Sequence, residues 1–210
     1  MTNWKIIGLI IVAALIVGAI IFGLFVVGTQ RDLVNKDNTG EQKWGNVQTA
    51  YQRRADLIPN LVATVQGAAT FEKSTQTEIA AMRSQAGQIK TQVENAKTVA
   101  DLQAAEVGMG NVLSRLMLVV EAYPNLKSNE NFLNLQGQLE GIENRIKYER
   151  DEYNVAVKDY KNTVQMIPST FVAGYFGYNI DRWDMFQATA QAQTAPTVTF
   201  NFNTAPTAAV

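Results

Sequence analysis

The clearest feature of the hydropathy pattern is a long gap in charge near the N-terminus. From Ile6 to Gln30 no side chain is charged, and the run is built mainly from Ile, Val, Leu, Ala, Gly and Phe. At 1.5 Å of rise per residue, the roughly 20 residues needed to cross about 30 Å of hydrocarbon are present with some to spare. A cleaved signal peptide carries a shorter apolar core of about 7–15 residues, and no small-x-small cleavage site follows Phe25, so the pattern predicts a retained membrane-spanning helix. Trp4 stands where an interfacial aromatic sits, and Lys5 lies just outside the run.

Beyond the span, a sparse apolar stripe of Leu33, Trp44, Val47 and Tyr51 predicts a helix continuing out of the membrane, with Gly40 weakening its middle. Pro59 then interrupts. It has no amide to donate and biases Ile58 away from the helical region, so a kink or corner is expected there. Asp56 is placed to cap a second helix with apolar positions at Leu61, Val65, Ala68, Ile79 and Met82, fading near Gly87. A third helix is expected from about Thr98, carrying Leu102, Ala105, Met109, Val112, Leu116 and Val119 at steps of three and four until Pro124-Asn125 ends it. The fourth stripe runs from Phe132 through Leu135, Leu139, Ile142, Ile146, Tyr153, Val157 and Tyr160 to Val164. It spans about 50 Å if continuous, and only the Glu149-Arg150 region breaks it.

Long helices with narrow three-four stripes pack best nearly antiparallel, crossing at about 20° as in bundles and coiled coils. The expected fold is all-α. A short tail and transmembrane helix (1–30) precede an elongated antiparallel helical bundle (31–186) and an uncharged tail (187–210).

After Pro168 the texture turns aromatic and glycine-rich, Phe171-Val172-Ala173-Gly174-Tyr175-Phe176-Gly177-Tyr178, followed by Trp183 and Phe186. Such a segment needs cover, from the bundle or from a neighbouring subunit. The tail reads as a solvated linker except at Thr197–Asn203, where Val198, Phe200 and Phe202 alternate with polar residues at strand spacing. A lone strand cannot satisfy its own backbone, and the nearest identical edge belongs to another copy. A homo-oligomer is therefore expected, with Phe176, Tyr178, Val198, Phe200 and Phe202 as candidate subunit contacts.

Composition narrows the function classes. A formal net charge of −1 gives no broad positive field, so nucleic acid is not an expected partner. The absence of cysteine removes disulfides, thiol nucleophiles and thiolate metal sites. The absence of histidine is the sharper exclusion, since imidazole acid/base catalysis, imidazole-based triads and histidine-ligated zinc all lose their central group. No enzyme activity, cofactor or metal is expected. Lys5 on one flank against Arg31, Lys36 and Lys43 on the other leans towards a cytoplasmic C-terminal domain. Ala14 with Gly18, and Ala19 with Gly23, are small residues four apart that would let membrane helices approach closely.

The segment from Asp37-Asn38 to Trp44, the run Tyr51-Gln52-Arg53-Arg54-Ala55-Asp56-Leu57-Ile58-Pro59-Asn60-Leu61-Val62 and the following Phe71-Glu72-Lys73 resemble the LemA family of bacterial membrane proteins. Tyr148 to Tyr160, Pro168-Ser169 and Phe176-Gly177-Tyr178 extend the resemblance over roughly residues 29 to 186. It implies a short N-terminal tail, one membrane helix, an antiparallel helical domain and an association with membrane-protease and envelope-stress contexts. The uncharged tail goes beyond that pattern.

Candidate chemistry is sparse. Arg53 and Arg54 with Asp56, ahead of Leu57-Ile58-Pro59, form the most distinctive polar cluster and offer a place for an acidic group, but an arginine fork at a helix corner more often satisfies exposed carbonyls or pairs with a carboxylate on the next helix. Pro59, fixing the corner, and Trp44, the largest apolar group on the first stripe, are expected to be structural. Glu140, Glu143, Glu149, Asp151 and Glu152 interleave with Arg145, Lys147 and Arg150 and read as ion pairs along the outer faces of the fourth helix. Gly108-Met109-Gly110-Asn111 follows no strand and reads as a place of close helix contact rather than a phosphate loop. The expected function is a membrane-anchored, nonenzymatic scaffold or adaptor that self-associates and recruits or regulates other membrane proteins, a membrane protease among them. The alternative is a lipid- or peptide-binding module at the membrane surface, using Phe171 to Tyr178.

Overall fold

A computed structural model describes residues 2–68 and 71–187. These form six α-helices and one 3-10 turn in the order α1 (Thr2–Ala68), α2 (Lys73–Glu94), α3 (Val99–Ala122), α4 (Pro124–Lys127), α5 (Glu130–Gln165), α6 (Ser169–Tyr175) and the 3-10 turn (Ile180–Arg182). Among the described residues there is no strand. The strand periodicity at Val198, Phe200 and Phe202 lies outside them.

The first helix takes up 67 residues, about 100 Å at 1.5 Å each. Its N-terminal part is the expected apolar span, with side chains from Ile6 to Leu24 open to the surroundings. Beyond Gln30 the same helix enters the bundle and buries Leu33, Val47, Tyr51, Ile58, Leu61, Val62 and Val65.

The corner expected at Pro59 is not there. Pro59 sits inside α1, and Asp56, three residues earlier, caps nothing: its carboxylate accepts from the Gln52 side chain and pairs with Lys90 on α2 at 2.9 Å. Proline removes one backbone hydrogen bond and crowds the preceding turn, at a cost of about 3 kcal/mol. Burial of Ile58, Leu61, Val62 and Val65 on both sides of it outweighs that cost, since each contributes about 1.5–3 kcal/mol. The chain turns only after Ala68, and Ile79 and Met82 belong to a separate helix, α2, which runs past Gly87 to Glu94.

The other boundaries follow local chemistry as the sequence indicates. Thr98 caps α3 with a full capping box: its hydroxyl accepts from the Asp101 amide, and the Asp101 carboxylate accepts from the Thr98 amide. Tyr123 ends that helix and Pro124 opens α4. Asn129 caps α5, accepting from the Phe132 amide at 3.1 Å.

Cross-helix contacts fix the directions. Lys36 meets Thr163, Lys43 meets Glu152 and Arg54 meets Glu143, so α1 and α5 are antiparallel. Lys90 meets Asp56, and Arg115 meets Glu78, so α2 is antiparallel to both α1 and α3. The distal half is thus an up-down-up-down four-helix bundle with a core from Val47 to Phe132 and Val157. The membrane-proximal half is thinner. There α1 pairs with the end of α5 around a small core of Leu33, Tyr160, Val164 and Ala173, covered by Tyr178 and Trp183. Gly40, expected to weaken α1, has a use: a Cβ there would lie 3.3 Å from the Trp183 indole. Gly108 lets Ile89 of α2 come equally close, the helix contact expected of it.

Candidate functional site

One polar cluster of the bundle lies where α1, α3 and α5 meet. Arg54 is only 6% exposed, and its guanidinium pairs with Glu143 of α5 and, at 4.0 Å, with Glu106 of α3. One turn earlier on α1, the Tyr51 hydroxyl donates to Glu106 at 3.1 Å. Arg150 donates to the Tyr51 hydroxyl and to Glu106, and its guanidinium lies over the Tyr51 and Phe186 rings. Burial pushes the Glu106 carboxyl up, while the charge of Arg54 draws it back. Burial also pushes the Arg150 guanidinium down from the ordinary arginine value. Beside this network a cleft of about 450 Å³ opens between α3 and α5, lined in part by Glu106, Glu143, Lys147 and Arg150.

These pairs correct the expectation of ion pairs running along the outside of α5. Only Arg145–Glu149 is of that kind, at 2.5 Å, and Glu149 is itself just 2% exposed. Glu143, Arg150 and Glu152 reach instead to other helices, the last taking a hydrogen bond from Lys43 of α1 at 2.7 Å that raises the lysine above its ordinary value. Glu106 carries no mark in its own neighbourhood of sequence. The signal that was present is the break in the α5 stripe: two charged residues, Glu149 and Arg150, fall where the apolar positions of a core-facing helix should continue from Ile146 to Tyr153. Charges in that place call for partners, because an unpaired buried charge is costly. Arg150 finds them across the bundle at Glu106 and Tyr51, whereas Glu149 has the exposed Arg145 of its own helix.

Beyond the 3-10 turn the chain crosses back over the bundle as a strap. Asn154 clasps it with two hydrogen bonds, its side chain donating to the Phe186 carbonyl and accepting from the Phe186 amide, both at 2.9 Å. The Tyr153 hydroxyl donates to the Asp184 carbonyl, and burial pushes its pKa up to about 12. Trp44 lies half-buried beneath, with ring centroids 5.6 Å from Tyr153 and 6.4 Å from Phe186. Trp44, Arg54 and Asp56 therefore all make contacts between elements. Arg53 is exposed and lines a second cleft, of about 380 Å³, with Arg145 and Glu149.

A third opening differs in character. Between the membrane helix and α6, a groove of about 520 Å³ is lined by Phe22, Phe25 and Val26 on one side and Phe171, Tyr175 and Phe176 on the other. Phe176 is thus on an exposed surface, while Tyr178 packs on the small membrane-proximal core.

The chain is similar to known proteins over most of its length. A family model described as LemA family matches residues 43–200. Magnetosome protein MamQ 2 and Magnetosome protein MamQ 1 of Paramagnetospirillum magneticum are each 29% identical over 166 residues, 70% of this chain and 60% of theirs. Magnetosome protein MamQ of Magnetospirillum gryphiswaldense is 27% identical over 157 residues, 66% of this chain and 58% of its own. The chain spans about 60% of the length of the curated relatives it matches.

Proposed function

The chain belongs to the LemA family, and from that footing we propose that it is a membrane-anchored, nonenzymatic scaffold or adaptor that self-associates and recruits or regulates other membrane proteins, in envelope-stress or protease control. One observation carries this reading. The membrane span and the long edge of the bundle are a single helix, so the anchor passes into the domain without a linker. Such a body transmits position. What binds its distal end is held at a fixed height and orientation above the bilayer. The charged groups at its centre support the same role, because they are spent on one another: Arg54, Glu106, Glu143 and Arg150 tie three helices together.

Self-association has its own support. Ala14 with Gly18, and Ala19 with Gly23, are pairs of small residues four apart on the exposed surface of α1, a spacing that lets a second membrane helix approach closely. Symmetric association would raise the local concentration of every domain and turn weak contacts with a partner into avid ones. The charge count on the two flanks favours a cytoplasmic bundle. The experiment is in-cell crosslinking of the full-length chain followed by co-purification, with Gly18→Leu and Gly23→Leu as the disrupting variants. Loss of self-crosslinks together with loss of co-purifying membrane proteins is the expected result; crosslinking unchanged by both variants would remove the membrane helix from the account.

A second reading, a lipid-binding module, is favoured by the groove between α1 and α6, whose walls are almost wholly apolar.

A further inference from the structure

We propose that α6 and the corner before it are immersed in the bilayer beside α1, and that the groove between them holds a phospholipid acyl chain. The inference rests on the membrane-anchor reading and deepens the lipid-binding one.

Depth is the first argument. The groove's α1 wall is Phe22, Phe25 and Val26, all within the uncharged span. Phe25 is six residues and Phe22 nine residues before Arg31, the first charge after the span, which is about 9 and 13 Å along the helix axis. Whatever packs on those side chains stands below the first charge of α1. Helices that lie in the membrane plane bury their apolar face about 5–10 Å into the headgroup and acyl boundary, and packing against Phe25 and Phe22 would set α6 at that depth or slightly below it.

The second argument is composition at that level. The end of α5 and all of α6 sit in a stretch from Asn162 to Ile180 without a charged side chain. Within it Met166, Ile167, Phe171 and Tyr175 are 63%, 78%, 72% and 85% exposed, and Phe176 stands edge-on to Tyr175. Elsewhere on the bundle the exposed apolar side chains, Val107, Leu118 and Val155 among them, are scattered singly. At the membrane end Phe171, Tyr175 and Phe176 come together in one groove with Phe22 and Phe25 of α1. A contiguous apolar patch in water is costly; in hydrocarbon the same patch is solvated.

The third argument is the change of polarity along the groove. One to three turns further along α1 the adjoining opening keeps apolar walls at Met166, Ile167 and Pro168 but adds Thr29, Asp32 and Lys36 of α1 and Thr163 and Ser169 of the other arm. The Lys36 ammonium lies 3.4 Å from Asp32 and donates to the Thr163 hydroxyl at 2.6 Å. An almost wholly apolar slot running into an opening where hydroxyls and an ion pair join apolar walls grows more polar away from the span, the polarity order of one phospholipid, tail then headgroup. Tyr175 supplies an aromatic group of the kind enriched at that boundary.

The chain has no cysteine, so single labels are unambiguous. Full-length variants Phe171→Cys and Tyr175→Cys, with Ile20→Cys and Leu118→Cys as membrane and aqueous references, are spin-labelled and placed in phosphatidylethanolamine/phosphatidylglycerol vesicles. Collision with dissolved oxygen is compared with collision with a water-soluble nickel chelate. Labels at 171 and 175 should favour oxygen, as at 20, and oppose the reading at 118. A nickel-accessible signal at 171 and 175 with position 20 in lipid would overturn the immersion of α6 while leaving the anchor intact. Shielding of both labels from both reagents would make the patch a protein contact and also overturn it. A nickel-accessible signal at position 20 would overturn the anchor reading itself.

Discussion

Trp44 lies half-buried against Tyr153 and Phe186, and so joins α1 to α5 and to the strap that crosses them. Truncating it opens a void under three elements at once. Trp44→Ala should cost about 3 kcal/mol, the low end for a large aromatic because part of the ring is already exposed. On a domain of this size that lowers the thermal midpoint by about 6–12 °C, measurable by circular dichroism in detergent. Pro59 gives a prediction of opposite sign. As a helix-interior proline it denies α1 one hydrogen bond, so Pro59→Ala should stabilise the fold by up to about 3 kcal/mol and raise the thermal midpoint accordingly. A fall would restore the corner that local sequence rules suggest. Those rules describe an isolated helix. Proline's local penalty is visible in the sequence, but the burial of Ile58, Leu61 and Val62 against two other helices is not.

At the level of the helices, what could be read in advance was whatever depends on neighbours within one turn. Thr98 and Asp101 announce the start of α3, and the stripes of α3 and α5 name their buried faces. Glu143, Arg150 and Glu152 pair across helices instead, because spacing along one helix says nothing about which other helix stands opposite. The capping box also gives a pH prediction. Asp101 accepts from the Lys97 and Thr98 amides at 2.9 Å, and these hold its carboxyl below the ordinary aspartate value. A depressed folded value means the carboxylate's contribution is fully present above the unfolded aspartate pKa and is lost as pH falls through the folded one. The wild-type advantage over Asp101→Asn in thermal midpoint should therefore be constant near neutrality and shrink below about pH 4. An advantage that persisted undiminished at lower pH would remove the charged cap from the explanation.

The whole molecule is an anchor and a bundle sharing one helix, and two of its properties were open to sequence reasoning in different degrees. The span declared itself through 25 uncharged positions, Ile6 to Gln30. The apolar end of α5 and α6 did not declare its destination, because the stretch from Phe171 to Tyr178 reads as a patch needing cover until folding sets it against Phe22 and Phe25. For topology, a cysteine at Ser128, exposed just after α4 at the end of the bundle remote from the span, should resist a membrane-impermeant thiol reagent in intact cells. Efficient labelling would put the domain outside. The central claim is that this body works as a self-associating scaffold, and native mass spectrometry of the full-length protein released from detergent tests it most directly. The account predicts one defined multiple of the chain mass, reduced when Gly18 and Gly23 are both replaced by Leu. A spectrum of monomer alone, at every protein concentration and in every mild detergent, would contradict it.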